Sequence, residues 1–347
     1  TVADSELACL AKAAAQWGDE GPSIRLANLL PLKHPYSVDL YVETVIRKAH
    51  FVCVILLGGK SYWPYGLEEI ALAAREEGIV FAAISGSGDP DPALAPYSNI
   101  SAADCAQLNG YIKEGGVPNA ENFLRKAAQL AGLASEPPQP VAIMPVAAIY
   151  AAPTPSQKGQ PIALLTFYNA LAVAGTTDAV DAMIAGLNRE GFAVLAVAIR
   201  SLRDTESIHL LRQLIDQHGP AIILNATSFA ASSAAEPRQP AILERANCPI
   251  LQIAFAAEQE EIWQASSRGL GPRDLAMNVA MPEVDGRIFT RAVAFKASAA
   301  FDERTQCNIV TPKPVLDRMA FVAKLAANWA LVKQTLVQQR HVALILA

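Results

Sequence analysis

Two apolar runs of strand length frame a helical pattern near the start of the chain, and that order constrains the fold more than any other feature. Phe51–Leu57 is unbroken, rich in β-branched residues and ended by Gly58-Gly59. Such a run suits a strand buried on both faces. Gly66–Glu77 reads as a helix stopped by Gly78, and Ile79–Ile84 is a second buried strand. A strand, a crossover helix and a strand form a β-α-β unit and imply a parallel sheet. Ahead of them, Val38, Tyr41, Val42, Val45 and Ile46 recur at three- and four-residue steps, which predicts a helix over Tyr36–Ala49. Further helices are expected at 101–114 and 119–131.

The alternation returns in the second half. Ile162–Phe167, Phe192–Ile199, Ala221–Leu224 and Ile250–Phe255 read as strands. Between them lie a helical stripe of Val180, Met183, Ile184 and Leu187 ended by Gly191, a helix over Ser207–Gln217, and a short helix at 241–246. The fold class is therefore α/β, with two doubly wound, Rossmann-like or flavodoxin-like domains on parallel sheets. Two proline clusters, Ser135–Pro140 and Ala152–Pro161, carry no periodic pattern and mark the boundary. The expected organisation is an N-terminal α/β domain over 1–140 and a proline-rich linker or edge strand over 141–160. A second α/β domain over 161–338 would end in one long helix from Pro314. Residues 339–347 would open a truncated third domain, and sequence upstream of Thr1 is expected.

Composition narrows the function classes. Hydrophobic residues make up 52% and charged residues 18% of the 347 positions, which excludes disorder. The net charge is −5 and no Lys/Arg cluster is visible, so nucleic acid is not an expected partner. No apolar run reaches the roughly 18 residues of a membrane span, and no signal peptide is apparent; the expected location is the cytoplasm. The five cysteines are dispersed, with no C-x-x-C pair, as free thiols in a reducing compartment would be. The five histidines show no ligand spacing.

Familiar motifs fail on inspection. Gly59-Lys60-Ser61 resembles the end of a P-loop, but Val54 occupies the place of its first glycine. Gly86 and Gly88 begin a dinucleotide-like pattern whose third glycine is Asp91. What remains are the loops after the strands of the second domain, where open parallel sheets bind ligands. Asn225, followed by Ser228, is the foremost candidate there. In the segment Arg268–Lys296, Glu283 and Asp285 stand two apart before Gly286. If that stretch is extended they share a face. Paired carboxylates can take a hard divalent cation, accept pyrrole protons, or simply pair with Arg287 and Arg291.

Three segments carry a resemblance: His34-Pro-Tyr-Ser-Val-Asp-Leu-Tyr; Leu57-Gly-Gly followed by Tyr62-Trp-Pro-Tyr-Gly; and Gly269–Lys296 with its Ala-Met-Asn-Val and Pro-Glu-Val-Asp-Gly-Arg-Ile elements. Together, from near residue 20 to the end, they resemble the large subunit of aerobic cobaltochelatase, and more distantly the H subunit of magnesium chelatase. The resemblance implies a corrinoid- or tetrapyrrole-binding subunit of an ATP-dependent chelatase that inserts Co²⁺ into hydrogenobyrinic acid a,c-diamide. AAA+ partner subunits would hydrolyse ATP-Mg, and this region would hold no tight cofactor of its own. It implies a catalytic role for Glu283, which matches a glutamate implicated in the magnesium-chelatase relatives, with Val284 in place of their leucine. Asp285 is the natural second carboxylate. Glu283 would also be a transient metal ligand, and Asn225, Ser228, Asn278, Arg291 and His34 are expected substrate contacts. Family members are much longer, so this region alone is expected to lack activity. Two alternatives stay open: an H subunit acting on protoporphyrin IX, and a non-catalytic α/β module that binds a tetrapyrrole or other small ligand.

Overall fold

The strand runs fold as the alternation requires, because each odd–even set of apolar side chains meets a different helix layer. The computed structural model describes residues 1–18, 21–86, 90–133, 136–154, 159–232 and 240–343, without the side chains of 298–300. It divides into two compact units that are not contiguous in sequence. One comprises Thr1–Met144, Val173–Gly175 and Ser298–Thr311; the other comprises Pro145–Ala172, Thr176–Ala297 and Pro312–Ala347.

In the first unit, β1 (Phe51–Leu56) pairs in parallel with β2 (Val80–Ser85), from Phe51↔Val80 to Leu56↔Ser85. Helix α3 (Pro64–Glu77) makes the crossover, with Pro64 in its first turn and Gly78 ending it at φ 69°. Val52, Val54 and Leu56 pack with Leu67, Ile70 and Ala74 of α3 and with Val38 and Val42 of α2 (Pro35–Thr44). On the other face, Ile55, Ala82 and Ile84 meet α1 (Asp4–Gln16), α4 (Ala102–Glu114) and α5 (Val117–Leu130) through Leu10, Ala13, Leu108, Tyr111 and Phe123. The outer edge of β2 is closed by side chains: Asn99 accepts from Phe81 N at 2.7 Å and donates to Ile79 O at 2.8 Å. The proline-bearing segment 136–142 is held down likewise. Buried Asn119 donates to Ala142 O at 2.8 Å and accepts from Ala142 N at 2.9 Å, and Asn122 accepts from Gln139 N at 2.8 Å.

A seven-stranded sheet runs in the order β3-β5-β4-β6-β7-β8-β9; β3 to β7 and the start of β8 belong to the second unit, whereas 298–302 of β8 and 307–311 of β9 fall in the first. Its strands are β3 (Ala147–Ala151), β4 (Ile162–Tyr168), β5 (Ala193–Ile199), β6 (Ile222–Asn225), β7 (Ile250–Gln259), β8 (Ile288–Asp302) and β9 (Cys307–Pro314). β4 to β8 run parallel, and β3 lies antiparallel on the outer edge of β5. Short α6 (Asn169–Ala174) follows β4; α7 (Asp178–Arg189) then connects β4 to β5, and α8 (Thr205–His218) connects β5 to β6. They lie on opposite faces, as a doubly wound sheet requires. Val180, Met183 and Leu187 of α7 join Leu165, Phe167 and Val194, together with Met319, Val322 and Ala326 of α12 (Leu316–Gln334). Leu211, Leu214 and Ile215 of α8 cover Leu164, Leu195, Val197 and Ile223. From β4 the chain winds one way to β5, then returns across β4 to β6. The reversal puts a topological switch point at the carboxyl ends of β4 and β6.

Several elements differ from the sequence expectation. The long helix stops at Gln334, and Val337–Gln339 forms a 3₁₀ turn. Residues 341–343 form no strand, and 344–347 lie outside the described residues, as do Gly88, Ser135 and 155–158 of the proline-rich stretch. Helix α1 and strands β8 and β9 were not foreseen. Their sequences interleave alanines and polar residues, so no unbroken apolar run announces them.

Asn119→Ala removes both anchors of Ala142, along with the bond to Gly115 O, from a side chain that is fully buried. It is expected to lower stability by about 1–3 kcal/mol, measured by urea denaturation of the purified protein.

Candidate functional site

At the switch point a run of buried polar side chains links four strands. Asn225, fully buried, ends β6. Its Oδ1 accepts from Thr166 Oγ1 of β4 at 2.7 Å and from Thr227 Oγ1 at 2.9 Å. Its Nδ2 donates to Thr227 O at 2.8 Å and to Gln252 Oε1 of β7 at 2.7 Å. An amide offers two acceptor and two donor positions, so Asn225 is saturated. Gln252 in turn donates to Thr227 O at 3.0 Å and accepts from Arg287 at 3.3 Å.

Arg287 is held by Asp285, and both side chains are 1% exposed. Asp285 also accepts from Ala231 N at 2.6 Å, from Ser232 N at 2.9 Å and from Ser232 Oγ. Burial pushes its carboxyl up, but the hydrogen bonds from Ser232 and Ala231 and the Arg287 charge outweigh that and hold it below the usual aspartate range. With four donors around it and a lowered pKa, Asp285 is a structural anion and a poor proton acceptor.

A second chain of contacts starts one strand position away. Tyr168 accepts from Ser228 N at 3.0 Å, and Ser228 Oγ donates to Asn278 Oδ1 at 2.7 Å. Asn278 donates to Asp274 at 3.1 Å, and Asp274 accepts from Ala257 N, beyond the middle of β7, at 2.9 Å. Asn278 lies in a π-helical turn, Leu275–Ala280, between α10 (Pro272–Asp274) and α11 (Met281–Val284). Proline lacks an amide proton and crowds the preceding turn, so Pro282 prevents the α-helical ladder from running on unchanged. Wide π turns of this kind recur at functional sites.

This geometry corrects the extended reading of Pro282–Gly286. The stretch is a helical turn that Gly286, at φ 72°, reverses into β8. Residues two apart on a helix point about 200° apart, so the two carboxylates part company. Asp285 faces the interior, whereas Glu283 is exposed and its carboxylate accepts no hydrogen bond among the described residues. Exposed apolar side chains flank it in sequence, with Met281 at 42% and Val284 at 55% exposure.

Of the other expected site residues, Asn225, Ser228, Asn278 and Asp285 belong to these two networks. Arg291 lies on β8 with its guanidinium 3.5 Å over the Phe321 ring. His34 belongs to the first unit, where it caps α2 by accepting from Tyr36 N at 3.2 Å. Among the described residues no three His, Cys, Asp or Glu side chains gather as a metal site, and no helix is long and apolar enough to cross a membrane. Sequence reasoning missed Gln252, Ser232 and Phe229. Phe229 is 47% exposed at φ 66°, in a conformation that costs a non-glycine residue energy, and its amide is tied to Met277 O of the π turn at 2.9 Å. Nothing in the string Ala226-Thr-Ser-Phe marks it.

Comparison with known proteins follows the same regions. The family model described as CobN/Magnesium Chelatase matches residues 109–347, which hold every site candidate but His34. The chain is 39% identical to the aerobic cobaltochelatase subunit CobN of Sinorhizobium sp, over 100% of this chain and 28% of that protein. It is 35% identical to the subunit of the same name from Pseudomonas aeruginosa, over 99% of this chain and 28% of the relative. The chain thus spans little more than a quarter of the length of these relatives. In fold it matches the catalytic subunit of cobaltochelatase from Mycobacterium tuberculosis, with a TM-score of 0.67 and 24% identity, over 96% of this chain and 27% of that one.

Removing the Asp285 charge strands Arg287 in the interior. Asp285→Ala is expected to cost about 3–5 kcal/mol at pH 7. Because the folded pKa lies below the unfolded one, this contribution is present at neutral pH and is lost as pH falls through the folded value. The gap between wild type and variant in urea midpoint should therefore narrow below about pH 4.

Proposed function

The chain belongs to the CobN/magnesium chelatase family, and from that footing we propose that it forms part of the macrocycle site of a cobaltochelatase large subunit. In this reading, Co²⁺ enters hydrogenobyrinic acid a,c-diamide, and the ATP that drives the process is hydrolysed by separate AAA+ subunits. The motif survey agrees with that division, since Val54 breaks the only P-loop-like segment. The observation that carries the reading is an exposed carboxylate, Glu283, on the short helix α11 that follows the π turn, with Asn278–Asp274 bonded on one side of it and Asp285–Arg287 on the other.

Metal insertion replaces N–H bonds of the ring by N–Co bonds. Each replacement releases a proton, and the incoming ion must shed water. A solvent-facing carboxylate serves both needs, as a general base at the ring nitrogen and as a passing oxygen ligand to the ion. We assign that work to Glu283. Asp285 serves as a positioning residue, because its acceptor capacity is already spent on Ser232, Ala231 and Arg287. Asn225 likewise shapes the crevice from within. Ser228, braced by buried Asn278, sits at its rim, and Phe229 offers a flat apolar face to a planar ring. His34, capping a helix of the first unit, has no counterpart in this arrangement.

Glu283→Gln keeps size and polarity but removes the base. In a chelation assay with the large subunit and its ATPase partners, the rate is expected to fall about 10²–10⁴-fold. Stability should stay within about 0.5 kcal/mol, as for other exposed positions. An unchanged rate would remove Glu283 from the mechanism. Parallel absorbance titrations with hydrogenobyrinic acid a,c-diamide and protoporphyrin IX separate the branches: tighter binding of the porphyrin would point to magnesium chemistry.

A further inference from the structure

Arg291 and Arg318 are the arginines that the second unit stacks on aromatic rings. The Arg291 guanidinium lies 3.5 Å from the centroid of Phe321, and that of Arg318 lies 4.5 Å from the centroid of Trp263. Trp263 is itself braced against buried Phe295, with centroids 4.9 Å apart. Stacking fixes the plane of a guanidinium and leaves its edge N–H groups pointing sideways. Arg318 uses one of them, Nε, on Ala292 O at 2.6 Å. Among the described residues the Arg291 guanidinium makes no hydrogen bond, and no carboxylate is within ion-pair distance of either side chain.

Burial and the neighbouring Arg291 charge both lower the proton affinity of Arg318, while Asp317 and Glu260 act only from beyond contact. Some arginines elsewhere in the chain do have carboxylates: Arg47 meets Glu43, Glu76 and Glu77; Arg125 meets Glu121 and Glu136; Arg245 meets Asp216; Arg287 meets Asp285. The first turn of α12, which holds Arg318, also starts without a side-chain cap, so its free amides add positive potential of the same sign.

We propose that Arg291 and Arg318 form an oxyanion-binding pair that takes a carboxylate group of the ligand. A planar carboxylate matches the guanidinium fork, and two forks held at fixed planes can grip one carboxylate or two neighbouring ones. The inference rests on the macrocycle reading above for the source of that group, since the corrinoid substrate carries side-chain carboxylates around its rim. The oxyanion chemistry itself follows from the arginines alone.

The test compares hydrogenobyrinic acid a,c-diamide with its methyl-esterified form, titrated into wild type, Arg291→Gln and Arg318→Gln. Loss of one charge-assisted contact should weaken binding of the free acid about tenfold or more in each variant, with no change for the ester. Arg318→Gln also loses the bond to Ala292 O, so Arg291→Gln, which breaks no internal hydrogen bond, is decisive if the other variant misfolds. Equal affinity of wild type and Arg291→Gln for the free acid would overturn the proposal. If neither macrocycle binds wild type, the macrocycle reading fails instead. Citrate then serves as the probe, followed by NMR of the arginine Nε–H groups. Saturable shifts at Arg291 and Arg318 would support the oxyanion pair, and their absence would sink it.

Discussion

Asn225 closes the last turn of β6 where the sheet changes winding direction, and its amide must find four partners in a place that water does not reach. An unmet buried donor or acceptor costs about 1–3 kcal/mol, so the neighbouring strands are obliged to supply side chains. Thr166 comes from β4 and Gln252 from β7, while Thr227 folds back from the same loop. These bonds lie outside the backbone ladder and tie the carboxyl ends of β4 and β6 to the early part of β7. Gln252 then hands the chain of contacts to Arg287, and Arg287 to Asp285, so that the start of β8 is fixed to the same scaffold. A polar core of this kind is stable only when complete. Each of these members has its partner.

That completeness sets the shape of the loop above it. Ala226 N donates to Thr166 O at 2.8 Å, and Ala231 and Ser232 donate to Asp285, so the segment between is tethered at both ends. Phe229 sits in the middle at φ 66° with its ring half in solvent. Strained residues persist where the surroundings over-determine them, and they concentrate at sites of function. A rigid base under a strained, partly apolar loop is what a preorganised ligand site requires.

How far these features could be read in advance depended on whether local sequence or distant partners decided them. The strands with unbroken apolar runs, such as Phe51–Leu56 and Ala193–Ile199, were legible because burial on both faces leaves no room for polar residues. β8 was not, because its sequence mixes Thr290, Arg291 and Lys296 with alanines, and its strand state comes from pairing with β7. Asn225 stood out as an amide after an apolar strand. Its saturation did not, since Gln252 is 27 residues away in sequence. The π turn depends on Pro282 and on Asn278 reaching Asp274, which no apolar periodicity reports.

The pair Glu283 and Asp285 shows why geometry governs the division of chemical labour. In an extended strand the two would share one face and one environment. The helical turn turns them apart instead. One carboxylate goes to the interior, where Arg287 and three donors from 231–232 fix it as an anion. The other is left in solvent with its lone pairs open. A base must have a lone pair that a proton can reach, and a positioning anion must have none to spare. Two identical functional groups two residues apart therefore stand in different environments, and the register of a single helical turn decides which is buried.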